Sequence, residues 1–235
     1  MMLTIIIPVF NEEKTIIEVL KNILKIDFSN YFDSNEIIVV DDCSSDNSYE
    51  LVKNFAKSHT NITLLRNESN KGKGYSIRKA LQYAKGDVIL FQDADLELST
   101  DDIPSLIHNM FKLDADLVNG SRYLPGIVRP LSSFYRYLGN KIFTMITSFL
   151  LNVKITDIAC GYKLVRKSLL DKLILKEDRF GFETELIIKA LKVNKQKVAE
   201  VPVQYYQRSI KEGKKLRNSD AIKIFFNILK YAIKS

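Results

Sequence analysis

Three acidic residues follow an apolar segment in the first half of the chain. The segment 87–92 is largely apolar, and Asp93, Asp95 and Glu97 come directly after it at alternate positions. A short apolar run of this kind predicts a buried strand, so these carboxylates are expected together at its carboxyl end. Ligands bind at that edge of an open α/β sheet, and clustered carboxylates suit a hard cation such as Mg²⁺ or Mn²⁺. Such a cation would share its remaining positions with phosphates.

Polar residues also follow the first two predicted strands. The first strand ends in Pro8-Val9-Phe10-Asn11-Glu12 and the second in Asp41-Asp42. Two adjacent strands that end in acids form a crevice able to bind a nucleoside, because carboxylates accept hydrogen bonds from base N–H groups and ribose hydroxyls. The alternative for the nearby Ser44 and Asp46 is that they cap the following helix.

A loop rich in lysine and glycine precedes a predicted helix at 74–84. Its residues are Asn70-Lys71-Gly72-Lys73-Gly74. Glycines let the backbone come close to a ligand, while lysines and a helix N-terminus favour phosphate, so Lys71 and Gly74 are candidate ligand-binding residues. The loop matches neither the P-loop nor the dinucleotide fingerprint, which removes the usual sequence support for ATP hydrolysis and hydride transfer. An ordinary connecting loop is the alternative.

Short apolar segments alternate with amphipathic ones along the first half. We predict strands at 3–9, 36–40, 62–65, 87–92 and 116–119, separated by helices at 12–25, 46–58, 74–84 and 101–112. This alternation is typical of βαβ units, so the fold class is α/β with a mostly parallel sheet and a Rossmann-like first half. At 235 residues with 46% apolar content, a single domain accounts for the chain.

The second half has a different pattern. The segment 134–153 is apolar but is interrupted by charge, and its uninterrupted part is too short for a bilayer, which needs about 20 apolar residues. A core or interfacial helix is therefore expected there. A helix is also predicted near 183–193 and a strand at 197–206, where Pro202 indicates an edge position or a bulge.

The last segment, 219–235, predicts a basic amphipathic helix. Its three lysines lie on one face. The large apolar residues share another face at helical spacing: Ile222, Phe225, Phe226, Leu229 and Ile233. Such a helix can lie on an anionic membrane surface or pack on the domain with its basic face in water, and both alternatives stay open.

The net charge of +7 is concentrated at the carboxyl end, where the segment 208–235 has eight Lys or Arg residues and two acids. This excess suggests an anionic partner, whether a phosphate group, a lipid surface or nucleic acid. We expect no signal peptide before the first strand, and Cys43 and Cys160 lie far apart without metal-ligand spacing. We therefore expect reduced thiols and a cytoplasmic protein, with peripheral contact to the cytoplasmic face of a membrane left open.

Five motifs resemble those of family 2 glycosyltransferases and occur in the same order. They are Pro8-Val9-Phe10-Asn11-Glu12, Asp41-Asp42-Cys43-Ser44, Asn70-Lys71-Gly72-Lys73-Gly74, Asp93-Ala94-Asp95 and Gly120-Ser121-Arg122-Tyr123. Within that family the chain looks most like the dolichyl-phosphate mannose and glucose synthase branch. The likeness continues through 157–163, 181–183 and 201–203 to the basic tail.

The resemblance implies a GT-A fold, a nucleoside diphosphate sugar as donor, Mg²⁺ or Mn²⁺ as cofactor, and inversion at the anomeric carbon. It divides the chain into a GT-A domain at 1–218 and a basic amphipathic helix at 219–235. Within the domain, 1–122 would bind the nucleotide sugar and 123–218 would bind the acceptor.

The resemblance also implies roles for individual residues. Metal binding would fall to Asp93, Asp95 and Glu97, and phosphate contacts to Arg122 and Arg208. The donor-binding candidates are Pro8, Val9, Phe10, Asn11, Glu12, Asp41, Asp42, Lys71, Gly74, Asp93, Ala94, Asp95 and Lys214.

The acceptor decides whether the reaction needs a proton acceptor. A polyprenyl phosphate has a second pKa of about 6, by analogy with phosphoamino acids, so it is largely ionised at neutral pH and needs none. A glycan or small-molecule hydroxyl would need a carboxylate, and Asp157 or Glu183 is the candidate. We expect transfer of a hexose from a UDP- or GDP-sugar to polyprenyl phosphate, with a hydroxyl acceptor as the alternative.

A non-enzymatic adaptor for membranes or nucleic acid is the alternative from another class. It depends on the C-terminal charge alone. The intact acidic motif argues against it, so no nucleic-acid partner is expected, while the oligomeric state is left open.

Overall fold

The computed structural model describes residues 1–126, 133–208 and 218–233, without the side chains of Arg136 and of 218–222. The donor-binding candidate Lys214 lies outside the described residues. All other candidate residues of the donor and acceptor sites are described.

One sheet runs through the molecule, with its strands in the order β3-β2-β1-β4-β6-β5-β7. In the described ranges the strands are β1 (Met2–Val9), β2 (Ser34–Asp41), β3 (Ile62–Arg66), β4 (Val88–Phe91), β5 (Leu117–Ser121), β6 (Lys163–Arg166) and β7 (Val198–Pro202). Neighbouring strands are parallel except at β6, which is antiparallel to both β4 and β5. The predicted α/β class with a mostly parallel sheet is confirmed.

Helices cover both faces of this sheet. They are α1 (Ile16–Leu24), α2 (Ser48–Ala56), α3 (Lys73–Leu81), α4 (Ile103–Lys112), α5 (Phe134–Leu151), α6 (Lys167–Leu170), α7 (Phe182–Asn194) and α8 (Asn218–Ile233). Apolar residues of α1, α2 and α4 form the core on one face. Those of α3, α6, α7 and α8, with the end of α5, form the core on the other. In each case burial of one apolar helix face stabilises the helix against the sheet.

The strand order places a crevice between β1 and β4. β1 pairs with β2 on one side and with β4 on the other, so the chain leaves β1 and β4 in opposite directions. In open α/β sheets this arrangement opens a ligand-binding crevice at the carboxyl ends of the strands. Pro8 and Val9 end β1, Asp41 ends β2, and Asp93 is the second residue after β4. The predicted gathering of polar residues at one sheet edge is thus explained by topology.

No strand is predicted at 163–166 from the residue pattern, yet β6 lies there in the middle of the sheet. Its four residues begin with Lys163 and end with Arg166, so the apolar run is too short to be recognised. Lys163 is nevertheless buried, because its Nζ donates to Asn119 Oδ1 and to the Cys160 carbonyl oxygen, each at 2.8 Å. A buried lysine with such partners is invisible to a pattern based on hydrophobicity.

The last predicted strand is shorter than expected. The prediction covers 197–206, whereas β7 ends at Pro202. Within the described residues β7 pairs only with β5 and forms an edge of the sheet, which confirms the edge position that Pro202 indicates.

Helix α5 has a row of exposed apolar side chains. We call this row the α5 stripe: Phe134, Leu138, Ile142, Met145 and Phe149. Steps of three and four residues place all of them on one side of the helix. Phe149 is 85% exposed and Met145 66% exposed, so this helix face contacts none of the described core.

Helix α8 packs beside α5, with the rings of Phe143 and Phe225 6.3 Å apart. Its buried residues are Ile224, Ile228 and Tyr231, which differ from the predicted apolar face. Phe226 and Ile233 of that predicted face are exposed. The helix therefore packs on the domain and also presents apolar side chains outward. None of the helices in the described part of the chain is long and apolar enough to cross a bilayer.

Candidate active site

The acidic motif forms a turn that is held by one hydrogen bond within the motif and by another from Thr15. The backbone N–H of Glu97 donates to Asp95 Oδ1 at 3.0 Å. Thr15 Oγ1 donates to the carbonyl oxygen of Ala94 at 2.7 Å, which ties the turn to the segment after β1. These local hydrogen bonds hold the motif at the crevice predicted from the strand ends.

Asp93 is paired with a lysine from the glycine-rich loop. Lys73 Nζ lies 2.5 Å from Asp93 Oδ1 and 2.5 Å from Glu183 Oε1. Burial acts to lower the pKa of Lys73, but the two carboxylates outweigh it and the pKa is raised, so the ammonium stays charged at neutral pH. Lys73 thereby connects the start of α3, the turn after β4 and the start of α7.

Arg208 lies on the other side of the acidic cluster. Its guanidinium donates to the two carboxylate oxygens of Glu12 at 2.8 and 2.9 Å and to Asp95 Oδ2 at 3.2 Å. Its Nε is buried and has no hydrogen-bond partner among the described residues. Buried donors are satisfied as a rule, so this N–H can serve a ligand atom that accepts a hydrogen bond, such as a phosphate oxygen.

Glu97 holds the segment that carries Arg208. Its Oε2 accepts from Tyr205 Oη at 2.9 Å, and its Oε1 accepts from the backbone N–H of Arg208 at 2.8 Å. Its carbonyl oxygen also accepts from the N–H of Tyr206 at 2.8 Å. Because both carboxylate oxygens contact protein donors, the geometry favours a positioning role for Glu97 over the metal-binding role that the resemblance implies.

The two aspartates form a donor set that suits a hard cation. Burial, followed by the charges of Asp93 and Glu97, raises the pKa of Asp95 to about 7, while Arg208 acts in the opposite direction. A divalent cation at Asp93 and Asp95 would relieve this repulsion. Within the described ranges, no three His, Cys, Asp or Glu side chains are arranged to hold a metal ion. Since Mg²⁺ is commonly bound by one or two carboxylates together with substrate phosphates, the residues present fit Mg²⁺ or Mn²⁺.

Asp41 and Asp42 are buried at the end of β2. Three donors, each at 2.8 Å, contact Asp42: Asn67 Nδ2 and the backbone N–H groups of Lys71 and Gly72. Asp41 lies 3.2 Å from Arg66 Nε. Asp42 therefore shapes the glycine-rich loop, and nucleoside contact by either aspartate stays a prediction.

The segments after β1 and β2 are hydrogen-bonded to each other. Asn11, with a left-handed backbone at φ 50°, donates its N–H to Ser44 Oγ at 3.0 Å, and Glu12 donates its N–H to Ser48 Oγ at 2.7 Å. Asp46 Oδ1 accepts from the N–H of Ser48 at 2.9 Å, at the first residue of α2. The N-cap residue of α2 is Asn47, so neither residue predicted to cap the helix holds that position. Asp46, one residue earlier, accepts from the first N–H of the helix, and Ser44 contacts the neighbouring loop.

The glycines of the lysine-rich loop pack against the protein's own backbone. A Cβ on Gly72, whose φ is 102°, would lie 2.5 Å from the Asp178 carbonyl oxygen, and one on Gly74 would lie 2.1 Å from that of Glu177. The close approach that these glycines permit is thus to the segment before α7. Lys71 is exposed, whereas its neighbour Lys73 reaches the acidic motif.

Arg122 and Asp157 form a buried ion pair. The Arg122 Nε lies 2.7 Å from Asp157 Oδ2 and its Nη2 lies 2.9 Å from Oδ1, where Asn140 Nδ2 also donates at 2.9 Å. Burial acts to raise the pKa of Asp157, but Arg122 and Asn140 outweigh it, so the pKa is lowered. Asp157 is therefore an ionised partner that fixes Arg122 and anchors α5.

No role in the site is predicted from the sequence for three residues that the structure places there: Lys73, Asn140 and Tyr205. For Lys73 its position in the glycine-rich motif, next to the predicted helix start, could have indicated one. Tyr205 and Asn140 had no such signal, because Tyr205 is 108 residues from its partner Glu97 and Asn140 lies within an apolar helix.

The family of this chain follows from a direct comparison. Residues 4–174, most of the chain, match the family described as glycosyl transferase family 2. The chain belongs to glycosyl transferase family 2. This confirms the resemblance stated from the five motifs, and it confirms the enzyme class, a glycosyltransferase.

Several curated proteins are similar to this glycosyltransferase over most of its length. An uncharacterized protein of Methanocaldococcus jannaschii is 32% identical over 87% of this chain and 89% of its own length. The dolichyl-phosphate beta-glucosyltransferase ALG5D of Trichomonas vaginalis is 30% identical over 97% of this chain and 72% of its own. The dolichol-phosphate mannosyltransferase of Pyrococcus furiosus is 31% identical over 91% of this chain, which spans 59% of that protein.

Solved structures show the same fold. The glucosyl-3-phosphoglycerate synthase of Mycobacterium tuberculosis, in complex with Mn²⁺, UDP and phosphoglyceric acid, superposes with a TM-score of 0.74, covering 98% of this chain and 78% of that one. The same enzyme with Mg²⁺ and UDP gives a TM-score of 0.71, covering 100% and 80%. At 18% and 17% identity these likenesses concern the fold, and they confirm the predicted GT-A architecture.

Replacing Gly161 by alanine in this glycosyltransferase is expected to displace Asp93. A Cβ on Gly161 would lie 2.2 Å from Asp93 Oδ2, so the carboxylate has to move. A misplacement of about 1 Å can lower a rate by about 10²-fold, and we expect a loss of that order in kcat/KM for sugar transfer. Steady-state kinetics together with a thermal melt separates this effect from unfolding.

Gly139→Ala is the matched control, because a Cβ on Gly139 in α5 has no neighbour within 4 Å. It should leave transfer unchanged and raise stability by about 0.5–1 kcal/mol, since alanine favours a helix. Wild-type kinetics in Gly161→Ala would contradict the placement of Asp93 in the reaction.

Proposed function

We propose that this enzyme transfers a hexose from a UDP- or GDP-sugar to a polyprenyl phosphate, with Mg²⁺ or Mn²⁺ bound by Asp93 and Asp95. The observation that carries the proposal is the pairing of both candidate proton acceptors with cations. Asp157 is held by Arg122, and Glu183 by Lys73. A carboxylate whose oxygens are engaged by a cation is poorly placed to take a proton from an acceptor hydroxyl, so the arrangement favours an acceptor that is already ionised.

The donor side of the proposal rests on charges at the sheet edge. Arg208 and Lys73 lie on opposite sides of the acidic motif, and the Nε of Arg208 is a buried donor without a partner in the described part of the chain. Such donors stabilise negative charge that develops on a leaving diphosphate. A bound divalent cation would supply further positive charge to the same phosphates.

The transfer would be a single displacement. An oxygen of the acceptor phosphate attacks the anomeric carbon, and the bond from that carbon to the diphosphate breaks with its electron pair on the leaving nucleoside diphosphate. Arg208 would stabilise the leaving group, while Lys73 keeps Asp93 in place. Attack from the face opposite the leaving group inverts the anomeric configuration.

The lipid part of the acceptor is supported by the exposed surface of α5 and α8. The α5 stripe and the exposed Phe226 and Ile233 form apolar surface on the side of the sheet where α7 also packs. Exposed apolar surface of this kind marks an interaction site. We propose that it contacts the lipid chain and the membrane surface, so the enzyme would work as a peripheral protein. The dolichyl-phosphate relatives agree with this acceptor class.

We propose that the donor-binding and acceptor-binding parts of the chain divide at residue 122, as predicted from the sequence. Residues 1–122 would supply the nucleotide-sugar site, and 123–218 the acceptor site, with 219–235 as the C-terminal helix. Arg208 would act on the donor although it lies in the second half, because Glu97 holds its backbone beside the acidic motif.

The test is a transfer assay with the purified chain. Labelled UDP-glucose and GDP-mannose are each offered with polyprenyl phosphate in detergent, with and without Mn²⁺. We expect lipid-linked sugar that depends on the metal. A second set of reactions offers a glucoside and 3-phosphoglycerate as acceptors, and transfer to these alone would refute the proposal.

A further inference from the structure

Lys141 presents a positive charge near Arg122 that no carboxylate of the described residues balances. It lies in α5, and its Nζ is 4.7 Å from the ring centroid of Tyr123 and 5.8 Å from that of Tyr137. These two rings meet edge to face with centroids 5.5 Å apart. Among the described residues no Asp or Glu pairs with this ammonium, which is held only by aromatic faces.

A row of contacts connects Lys141 to the acidic motif. Tyr123 also lies 5.6 Å from the guanidinium carbon of Arg122, which is 5.0 Å from the ring of Tyr205. Tyr205 in turn donates to Glu97. Packed aromatic and charged side chains therefore link the ammonium to Arg122 and, through Tyr205, to the end of the acidic turn.

Lys141 and Arg122 differ in how far their positive charge is already neutralised by neighbouring carboxylates. The Arg122 guanidinium already contacts both oxygens of Asp157, so an anion there adds to a charge that is largely balanced. In the described part of the chain no carboxylate neutralises the Lys141 ammonium, so an anion bound there gains a full charge-assisted hydrogen bond. A phosphate in this region is thus expected to bind Lys141 strongly.

The apolar α5 stripe beside Lys141 indicates that the bound phosphate carries a lipid chain. Leu138, Ile142 and Met145 stand three residues before, one after and four after Lys141, and all three are exposed. These positions border Lys141 on the helix surface. A lipid phosphate bound at the ammonium could lay its chain on the stripe, whereas inorganic phosphate would leave the stripe uncovered.

We propose that Lys141 binds the phosphate of the polyprenyl phosphate acceptor and that the α5 stripe receives the first part of its lipid chain. This rests on the proposed function. Lys141 is then an acceptor-binding residue that orients the attacking oxygen, and Tyr123 and Tyr137 hold its ammonium in place.

The test compares Lys141→Met, which keeps an apolar side chain of similar length, with Lys141→Arg, which keeps the charge. A lost hydrogen bond between charged groups predicts a rise of about ten- to a hundredfold in KM for polyprenyl phosphate in Lys141→Met. KM for the nucleotide sugar should stay within about twofold, because only an acceptor contact is removed. Lys141→Arg should recover most of the acceptor affinity.

Binding of farnesyl phosphate, followed by titration calorimetry without donor, provides a readout besides activity. Lys141→Met should lower the affinity for farnesyl phosphate by the same factor. Farnesol and inorganic phosphate should bind weakly to both the wild-type protein and Lys141→Met. Lys112→Met is the matched control, since Lys112 is an exposed helical lysine on α4, whose apolar residues belong to the core on the opposite face of the sheet.

The outcomes separate the two proposals. If the wild-type enzyme uses polyprenyl phosphate and Lys141→Met does so equally well, the inference is wrong and the proposed function stands. If Lys141→Met loses only binding to phosphatidylserine vesicles, Lys141 is a membrane contact and the inference is also wrong. If the wild-type protein neither binds farnesyl phosphate nor transfers sugar to a polyprenyl phosphate, both fall together.

Discussion

Asp95→Asn is expected to lose metal-dependent sugar transfer, with kcat lower by at least about 10²–10³-fold. The amide removes one of two carboxylates proposed to hold the cation, while its shape is nearly unchanged. Arg208 stays bound to Glu12 at 2.8 and 2.9 Å, so the loop that carries it should keep its place. Transfer rates measured against Mn²⁺ concentration, with UDP-glucose and GDP-mannose, report the effect.

A thermal-shift titration separates a metal effect from a folding effect. Donor nucleotide with Mn²⁺ should raise the melting temperature of the wild-type enzyme and leave that of Asp95→Asn unchanged, because only a bound ligand stabilises the folded state. Asp101→Asn, at an exposed position in the following turn, is the control and should match the wild type. Full activity of Asp95→Asn would contradict the proposed metal-binding role of the acidic motif in sugar transfer.

Of the substitutions proposed, Asp157→Ala is expected to destabilise the protein most, lowering the free energy of unfolding by about 3 kcal/mol or more. The substitution leaves the Arg122 guanidinium, whose side chain is only 16% exposed, without its bidentate partner. It also removes the acceptor for Asn140 and so loosens α5. Urea unfolding followed by circular dichroism measures the change.

The same pair should make stability depend on pH in a defined direction. Because the pKa of Asp157 is lowered in the folded protein, its contribution is present above the ordinary carboxyl pKa and is lost as pH falls through the lowered value. The stability difference between wild type and Asp157→Ala should therefore persist at neutral pH and shrink only in acid.

Asp171→Ala is the control for this prediction. Asp171 also pairs with a cation, Lys167, but its side chain is 60% exposed and its backbone is right-handed helical. Exposed ion pairs contribute little, so the expected change is within about 0.5 kcal/mol. A similar cost for both variants would show that the Asp157 pair has no special importance.

Much of the fold was predictable because the parallel strands have a strong local signature. The apolar runs of β1, β2 and β4 are long enough to be recognised, and the helices between them have regular apolar spacing. β6 was missed because a four-residue strand that begins with a buried lysine has no such signature. The packing face of α8 was also missed, since that helix has apolar residues on several sides and only its neighbours select which are buried.

The residue types at the strand ends can be read from the amino-acid sequence, and with them the meeting of acids and glycines at one edge of the sheet. Parallel strands make this unavoidable, because their carboxyl ends share an edge. Which charges pair depends on the folded chain. Arg208 reaches Glu12 across 196 residues of chain, and Lys73 reaches Asp93 and Glu183. Pairing at such separations depends on how loops pack over the sheet, and that packing leaves no local pattern in the sequence.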